Sequence, residues 1–116
     1  MKGVQAVKIA MLNCLKANEV CTAAACLKAF NAKTRHFEVY GDTPLSLVAL
    51  ARCNGCDAGI DKGFREKLDR IVEEGAEACH LGVCTVRSDT KEECPVITQA
   101  AEYLTGRGVK IVRGTH

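Results

Sequence analysis

The sequence predicts an α/β fold in which a parallel β-sheet is covered by helices on both faces. Short aliphatic runs alternate with segments of helical periodicity along the whole chain. Strands that alternate with helices form parallel sheets with right-handed crossovers, which place helices against both faces. The 116 residues are enough for one such domain and too few for two. We therefore predict a single three-layer domain over residues 1–116.

Four apolar runs are predicted to be the strands of this sheet. All are short and rich in aliphatic side chains, as expected of buried strands. Four parallel strands with intervening helices are typical of Rossmann or flavodoxin-like domains. The runs are Val7–Leu12, Leu45–Ala51, Ala78–Val83 and Val109–Val112.

Three segments between the strands are predicted to be helices, because apolar residues recur in them at helical spacing. Thr22 is a candidate N-cap for the first helix, which continues to about Ala32. Asp61 can cap the second helix. Pro95 lies in the first turn of the third helix, a position that favours proline. The polar segment 33–42 is either a helix tail or a loop.

Composition and charge exclude several classes of partner. The net charge of +2, with both signs mixed, provides no basic patch for nucleic acid, and an aromatic content of 4% provides no stacking platform for bases. The sequence has no apolar run of about 18 residues that could span a membrane. The segment Met1–Ala6 lacks the apolar region of a signal peptide. We therefore expect a cytoplasmic protein with no nucleic-acid or membrane partner.

Eight cysteines are the most unusual feature of the composition. Small secreted proteins use many cysteines as disulfides, but this chain has no export signal and enough aliphatic residues to fold without them. A cytosolic chain with this many thiols more often binds metal or performs redox chemistry. The cysteines therefore indicate a metal or redox site.

Six of the eight cysteines are predicted to lie at one edge of the sheet. The carboxyl ends of parallel strands share an edge, where α/β proteins bind their ligands. Three of these cysteines follow strand ends, one lies in the loop after the second strand, and two precede helices that begin at this edge. Helix N-termini favour the thiolate, which is the form that binds metals. The six are Cys14, Cys53, Cys84, Cys56, Cys21 and Cys94.

The other cysteines and the histidines are weaker candidates. Cys26 falls on the apolar face of the first helix and Cys79 lies early in the third strand, so both are expected to be core residues. His80, in the third strand, could be a ligand, a donor to a ligand or a core histidine. His116 follows the last strand at the same edge and is either a ligand or a frayed terminus. His36 lies in a polar segment and is expected to be exposed.

The number and spacing of the thiols favour an iron–sulfur cluster over a zinc ion. Zinc modules typically pair two Cys-x2-Cys motifs, and this chain has only one. The ferredoxin series Cys-x2-Cys-x2-Cys is absent as well. Thiols in excess of four, scattered over several strand ends, suit a cluster because it is larger and accepts widely spaced ligands. Zinc is the alternative, and the first-choice ligands are Cys14, Cys53, Cys56 and Cys84, followed by Cys21 and Cys94.

Two enzyme classes also place cysteines at such an edge. A thiol–disulfide redox protein would have a Cys-x2-Cys pair at a strand–helix junction, as Cys53 and Cys56 are placed, although it would not need four more thiols. A low-molecular-weight phosphatase or arsenate reductase would need Cys-x5-Arg, and no cysteine of this chain has an arginine at that spacing. The dithiol class therefore stays open as an alternative, and no catalytic residue is assigned.

Six motifs occur in order along nearly the whole chain: a strand ending in Cys14, Cys21 with the helix Cys26–Asn31, Cys53-Asn54-Gly55-Cys56, His80-Leu81 with Cys84, Cys94-Pro95, and Gly114-Thr115-His116. Together they resemble the CGGC domain family, which consists of small proteins from mainly anaerobic bacteria and archaea. The resemblance implies metal binding by cysteines and histidines and defines no enzymatic activity. It also supports six residues as part of the site: Cys14, Cys21, His80, Cys84, Cys94 and His116.

Asn54 departs from the family pattern, which has glycine at this position. Asparagine tolerates a left-handed backbone better than other non-glycine residues, so the loop is expected to keep its shape. A very close approach of the backbone to a cluster is less favourable here than with glycine. We predict a metal-binding protein with an iron–sulfur cluster, for electron transfer, redox sensing or metal handling, that could act with a redox partner protein.

Overall fold

A computed structural model describes residues 6–15, 22–55, 57–86 and 92–115 of the chain. The strands are β1 (Val7–Asn13), β2 (Leu45–Arg52), β3 (Ala78–Leu81) and β4 (Lys110–Arg113). All neighbouring strands pair in parallel, in the order β2-β1-β3-β4. The parallel α/β sheet predicted from the sequence is confirmed.

The three predicted helices are present as α1 (Ala24–Ala32), α2 (Lys62–Glu73) and α3 (Pro95–Thr105). A 3-10 helix, Arg35–Tyr40, fills most of the segment predicted as helix tail or loop. Asp61 caps α2 as predicted, since its Oδ1 accepts the N–H of Phe64 at 2.8 Å. The N-cap of α1 is Ala23 rather than Thr22, whose hydroxyl accepts the N–H of Ala24 instead. In the described ranges, no helix combines the length and the apolar character needed to cross a bilayer.

The side chains of β1 alternate between two apolar layers. Ile9 and Met11 are buried with Phe37 on the face that carries α1 and the 3-10 helix. Ala10 and Leu12 are buried on the opposite face against α2 and α3. The domain therefore has the predicted three layers, with β1 at its centre.

The second strand is less buried than its apolar sequence suggests. β2 lies at the edge of the sheet, and Leu50 keeps 38% of its surface exposed. The register with β1 shifts where Ile9 pairs with Leu47 and Ala10 pairs with Ala49, so that Val48 is an extra residue in a β-bulge. Strand order is not readable from the sequence, and this accounts for the difference.

The third strand ends two residues earlier than predicted, at Leu81. The N–H and the hydroxyl of Thr85 both donate to the carbonyl oxygen of Gly82, at 3.0 and 2.7 Å. These bonds close a 3-10 turn, Val83–Thr85, directly after the strand. Cys84 therefore lies within a turn after β3 rather than directly at the end of the strand.

The carboxyl ends of all four strands form one edge. Leu12 pairs with Leu81, and Leu81 pairs with Arg113, while the N–H of Cys53 donates to the carbonyl oxygen of Asn13. The chain leaves β1 towards β2 on one side and reaches β3 on the other, so the strand order reverses between β1 and β3. Such a switch point is where open α/β sheets bind ligands.

His80 fastens the segment after β4 to the sheet. Its Nδ1–H donates to the carbonyl oxygen of Gly114 at 2.8 Å, and its Nε2 accepts the hydroxyl of Tyr40 at 2.7 Å. The carbonyl oxygen can only accept, so Nδ1 carries a proton, and Nε2 is the acceptor when the ring is neutral. The ring also stacks on Phe37, with 4.2 Å between centroids. Burial, with smaller contributions from His36 and Lys110, lowers the pKa of His80 below 6.5 in spite of the bond to Gly114.

We expect stability to fall as the pH decreases through about 6.5, because unfolded His80 then binds a proton more readily than the folded, neutral ring. Stability rises with pH between the lowered folded pKa and the unfolded pKa, and it is level above that range. Urea unfolding between about pH 7.5 and pH 5.5 measures this dependence. His80→Gln should flatten this slope, whereas His36→Gln should keep most of it, because His36 makes only a smaller contribution to the lowered pKa of His80. Equal slopes in His80→Gln and wild type would contradict the assignment.

Candidate functional site

The loop after β1 holds the sulfur atoms of two cysteines that come from other strands. The backbone N–H of Cys14 donates to Cys84 Sγ at 3.2 Å, and the N–H of Leu15 donates to Cys53 Sγ at 3.4 Å. Two consecutive amides therefore bind sulfurs from the ends of β3 and β2. Three of the cysteines predicted at the carboxyl edge thus meet beside the switch point of the sheet.

These N–H···S bonds direct backbone donors at the two sulfurs, which is the contact by which backbone amides bind the sulfurs of a metal cluster. Cys79 and Cys53 both belong to the buried apolar layer under α2 and α3, and Cys79 is fully buried there. Burial raises the pKa of the Cys79 thiol to about 12. Cys79 is therefore a protonated core residue, as predicted, whereas the sulfurs of Cys53 and Cys84 each accept a backbone N–H from the loop after β1.

Cys94 is tied to the segment that carries Cys84. Its N–H donates to the carbonyl oxygen of Thr85 at 2.8 Å, and an antiparallel bridge joins Val86 to Glu93. Cys94 is also the N-cap residue of α3 and is partly buried. The start of α3 is therefore hydrogen-bonded to Thr85, the residue that follows Cys84.

The side chain of Asn54 anchors the Cys53 loop to α2. Its amide N–H donates to Asp61 Oδ1 at 3.0 Å, and its Oδ1 accepts the ammonium of Lys67 at 2.7 Å. Lys67 also donates to the carbonyl oxygen of Arg52 at 2.8 Å. Hydrogen bonds from the Phe64 backbone and from Asn54 keep the pKa of Asp61 low, so its carboxylate is ionised. The loop is thus fixed by polar contacts on both sides of Cys53.

The left-handed residue of this loop is Gly55, with φ 107°, and not Asn54. The replacement of glycine by Asn54 therefore affects the loop through the hydrogen bonds of the asparagine side chain. It does not require asparagine to adopt a left-handed backbone. A Cβ on Gly63 would lie 2.9 Å from Asn54 Nδ2, so the helix start leaves room for this amide. Neither Lys67 nor Gly63 was predicted as part of the site, because no motif in the sequence relates them to Cys53.

Asn13 also lies at this edge and was not predicted as a site residue. It is 2% exposed, and neither its Nδ2 nor its Oδ1 has a hydrogen-bond partner among the described residues. A Cβ on Gly82 would overlap Asn13 Oδ1 and would lie 3.3 Å from Cys84 Sγ. The amide, the Cys84 sulfur and the bare α-carbon of Gly82 therefore meet at the switch point. The feature of the sequence that could have indicated Asn13 is its position as a polar residue directly after a largely aliphatic run.

Among the described residues, His80 is a predicted site residue that the structure does not bring into this sulfur group. Cys21, Cys56 and His116 lie outside the described residues, and their roles stay predictions. Both ring nitrogens of His80 are engaged by Tyr40 and Gly114. Within the described ranges, no three His, Cys, Asp or Glu side chains are arranged to hold a metal ion.

Two further predictions concern residues away from the edge, and both are confirmed. Cys26 is buried in the layer under α1, with its Sγ 3.1 Å from the hydroxyl oxygen of Thr115. His36 is exposed. Cys26 and His80 together hold the segment that follows β4.

Comparison with known proteins relates this site to a family. Residues 8–116 match the CGGC domain, a range that contains every described edge cysteine. The chain is 35% identical over 117 residues to the uncharacterized protein MJ0582 of Methanocaldococcus jannaschii, covering 94% of this chain and 86% of that protein. No solved structure matches the chain. The family and the eight cysteines together point to metal binding. On this evidence the chain belongs to the CGGC domain family.

Proposed function

We propose that this protein binds a metal centre through cysteine thiolates at the carboxyl edge of its sheet, and that the centre is an iron–sulfur cluster. The observation that carries the proposal is the pair of N–H···S bonds from Cys14 to Cys84 and from Leu15 to Cys53. They bring two cysteine sulfurs and their backbone donors together at the position where this sheet type binds ligands, and such donors are the ones that bond to cluster sulfurs. Membership of the CGGC family and the high cysteine content support the same function.

Cys14, Cys53 and Cys84 are the first ligands in this proposal. Cys56 follows Cys53 after two residues, and Cys94 is tethered beside the Cys84 turn. Cys21 precedes α1, which begins from the same edge. The ligand set of the proposed centre is drawn from these six thiols.

The two histidines have different parts in the proposal. The bonds of His80 to Gly114 and of Cys26 to Thr115 hold the residues immediately before His116. β4 ends at the carboxyl edge, and His116 follows this segment in the sequence. We propose His116 as an additional ligand and His80 as the residue that positions it.

The spacing of the cysteines favours a cluster over a single zinc ion. Zinc needs four donors at about 2.3 Å from one point. The chain has one Cys-x2-Cys pair, and its other edge thiols are scattered over several strand ends and helix starts. A cluster spreads its sulfur ligands over a larger volume, and backbone N–H bonds to those sulfurs adjust its reduction potential.

The physiological role that suits such a centre is electron transfer, redox sensing or metal handling. Thiolate ligands persist in the reducing environment of the cytoplasm, where we place the protein. Electron transfer would require a redox partner protein.

We expect protein purified without oxygen to be brown, with iron and sulfide in similar amounts, and to lose the iron when an edge cysteine is removed. Cys53→Ala and Cys84→Ala should each lower iron retention against a chelator by at least the roughly 10–100-fold loss seen when outer-shell contacts are removed. Cys79→Ala is the matched control and should keep its iron, because Cys79 is a core thiol with a pKa of about 12. Visible absorption and metal analysis measure the result, and circular dichroism verifies that each variant is folded.

Other outcomes would support the alternatives. A colourless protein with about one zinc per chain would indicate a structural zinc site of the kind that has four protein ligands. A protein without metal whose thiols oxidise in pairs would favour thiol–disulfide chemistry at Cys53 and Cys56. Iron retention as low in Cys79→Ala as in Cys84→Ala would contradict the edge site.

We expect removal of the metal to leave the fold intact. The two apolar layers on either side of β1 consist mainly of aliphatic and aromatic side chains, with Cys53 as a buried member of one layer and Cys94 packed against it. A chelator should therefore bleach the protein and lower its melting temperature, since a bound metal stabilises the native state, while the far-ultraviolet circular dichroism is retained. Collapse of the helical signal on chelation would instead point to a structural zinc module.

A further inference from the structure

We propose that the side-chain amide of Asn13 donates a hydrogen bond to the inorganic part of the bound centre, and that position 82 is glycine so that this contact can form. The inference rests on the proposed metal site. It assigns to Asn13 a positioning role that neither the family motif nor the thiols themselves indicate.

The burial of Asn13 is the first observation. The side chain is 2% exposed, and its two polar atoms have no hydrogen-bond partner in the described part of the chain. A carboxamide has two donors and an acceptor with two lone pairs, and burying these without partners destabilises the fold. Buried polar groups are almost always hydrogen-bonded in native proteins. The amide of Asn13 therefore indicates a partner beyond the described side chains.

The position of Asn13 is the second observation. It ends β1 at the switch point of the sheet, and the next residue, Cys14, donates its N–H to Cys84 Sγ. The sulfur of Cys84 and the amide of Asn13 both lie against the α-carbon of Gly82. The partner that reaches this amide is therefore one held by the same thiols.

Gly82 is the third observation. A Cβ at this position would overlap the amide oxygen of Asn13 and would be tight against Cys84 Sγ, at 3.3 Å. Gly82 is not among the glycines with positive φ, so its backbone does not explain the absence of a side chain. The space beside Asn13 and Cys84 explains it.

The chemistry of the amide identifies the class of partner. Its N–H₂ group donates to a negatively charged atom bonded to metal, which is a sulfide in a cluster and a hydroxide on a single ion. Hydrogen bonds of this kind outside the ligand set support metal affinity, and at cluster sulfurs they influence the reduction potential. Asn13 is thus proposed to position and tune the centre without being a ligand.

The test compares Asn13→Leu with wild type, because leucine has a similar size and no polar group. In metal-free protein the variant should melt at a temperature higher by about 4 °C, since an unpartnered amide has been removed. In protein loaded with Fe²⁺ and sulfide, or with Zn²⁺ alone, the chelator concentration that removes half the metal should fall by about 10–100-fold. A purely structural asparagine would not produce these opposite changes. Asn31→Leu, at an exposed position in α1, is the matched control and should leave metal retention unchanged.

The two loading conditions distinguish the possible acceptors. A loss confined to the Fe²⁺ and sulfide condition identifies a sulfide, and a loss with Zn²⁺ alone identifies a hydroxide. If Asn13→Leu does not fold, Asn13→Asp tests the same contact, because it keeps the shape, removes the donors and places an acid against an anionic atom. Wild-type metal retention in the folded variant overturns the inference and leaves the proposed metal site intact. Failure of wild-type protein to bind either metal overturns both.

Discussion

The structure depends on the central position of β1. This strand pairs with β2 on one side and β3 on the other, and its residues Ile9–Leu12 are completely buried between two apolar layers. The chain therefore crosses from β1 to β2 on one side and later crosses back past β1 to β3 on the other side. The carboxyl end of β1 then lies where the strand order reverses, and the loop that begins there reaches the turns after both neighbours. The hydrogen bonds to Cys84 and Cys53 follow from this placement.

The surroundings of each cysteine, more than their number, separate core thiols from site thiols. Cys79 and Cys84 are five residues apart in the sequence. Cys79 lies in β3, and Cys84 lies in the turn after it. Cys79 points into the apolar layer, where burial raises the pKa of its thiol to about 12. Cys84 lies past the strand in a turn, where its sulfur accepts a backbone N–H. A strand that continued through Cys84 would have extended the alternation of β3 to this residue.

Strands and helices were predictable from local sequence patterns, and contacts between distant elements were not. Aliphatic runs and helical spacing identified the strands and helices, and the parallel topology placed Cys14, Cys53 and Cys84 at one edge. The early end of β3 depends on hydrogen bonds from Thr85 to Gly82, which no propensity indicates. The anchoring of Asn54 by Lys67 requires α2 to pack beside the Cys53 loop. Such contacts depend on the order of the strands in the sheet, which local sequence patterns do not indicate.

Asn13 and Gly82 show why some residues of the proposed site could not be predicted from the sequence. Local rules favour an apolar residue at the end of a buried strand and a side chain at a position whose φ is not positive. Asn13 and Gly82 depart from these rules at adjacent positions, at the end of β1 and directly after β3, and both lie beside Cys84. Neither departure improves the packing of the chain by itself, because the amide has no partner among the described residues and the glycine contributes no side chain. Paired departures of this kind are expected where a fold is shaped for a group that it binds, and the proposed centre between these strands would account for both.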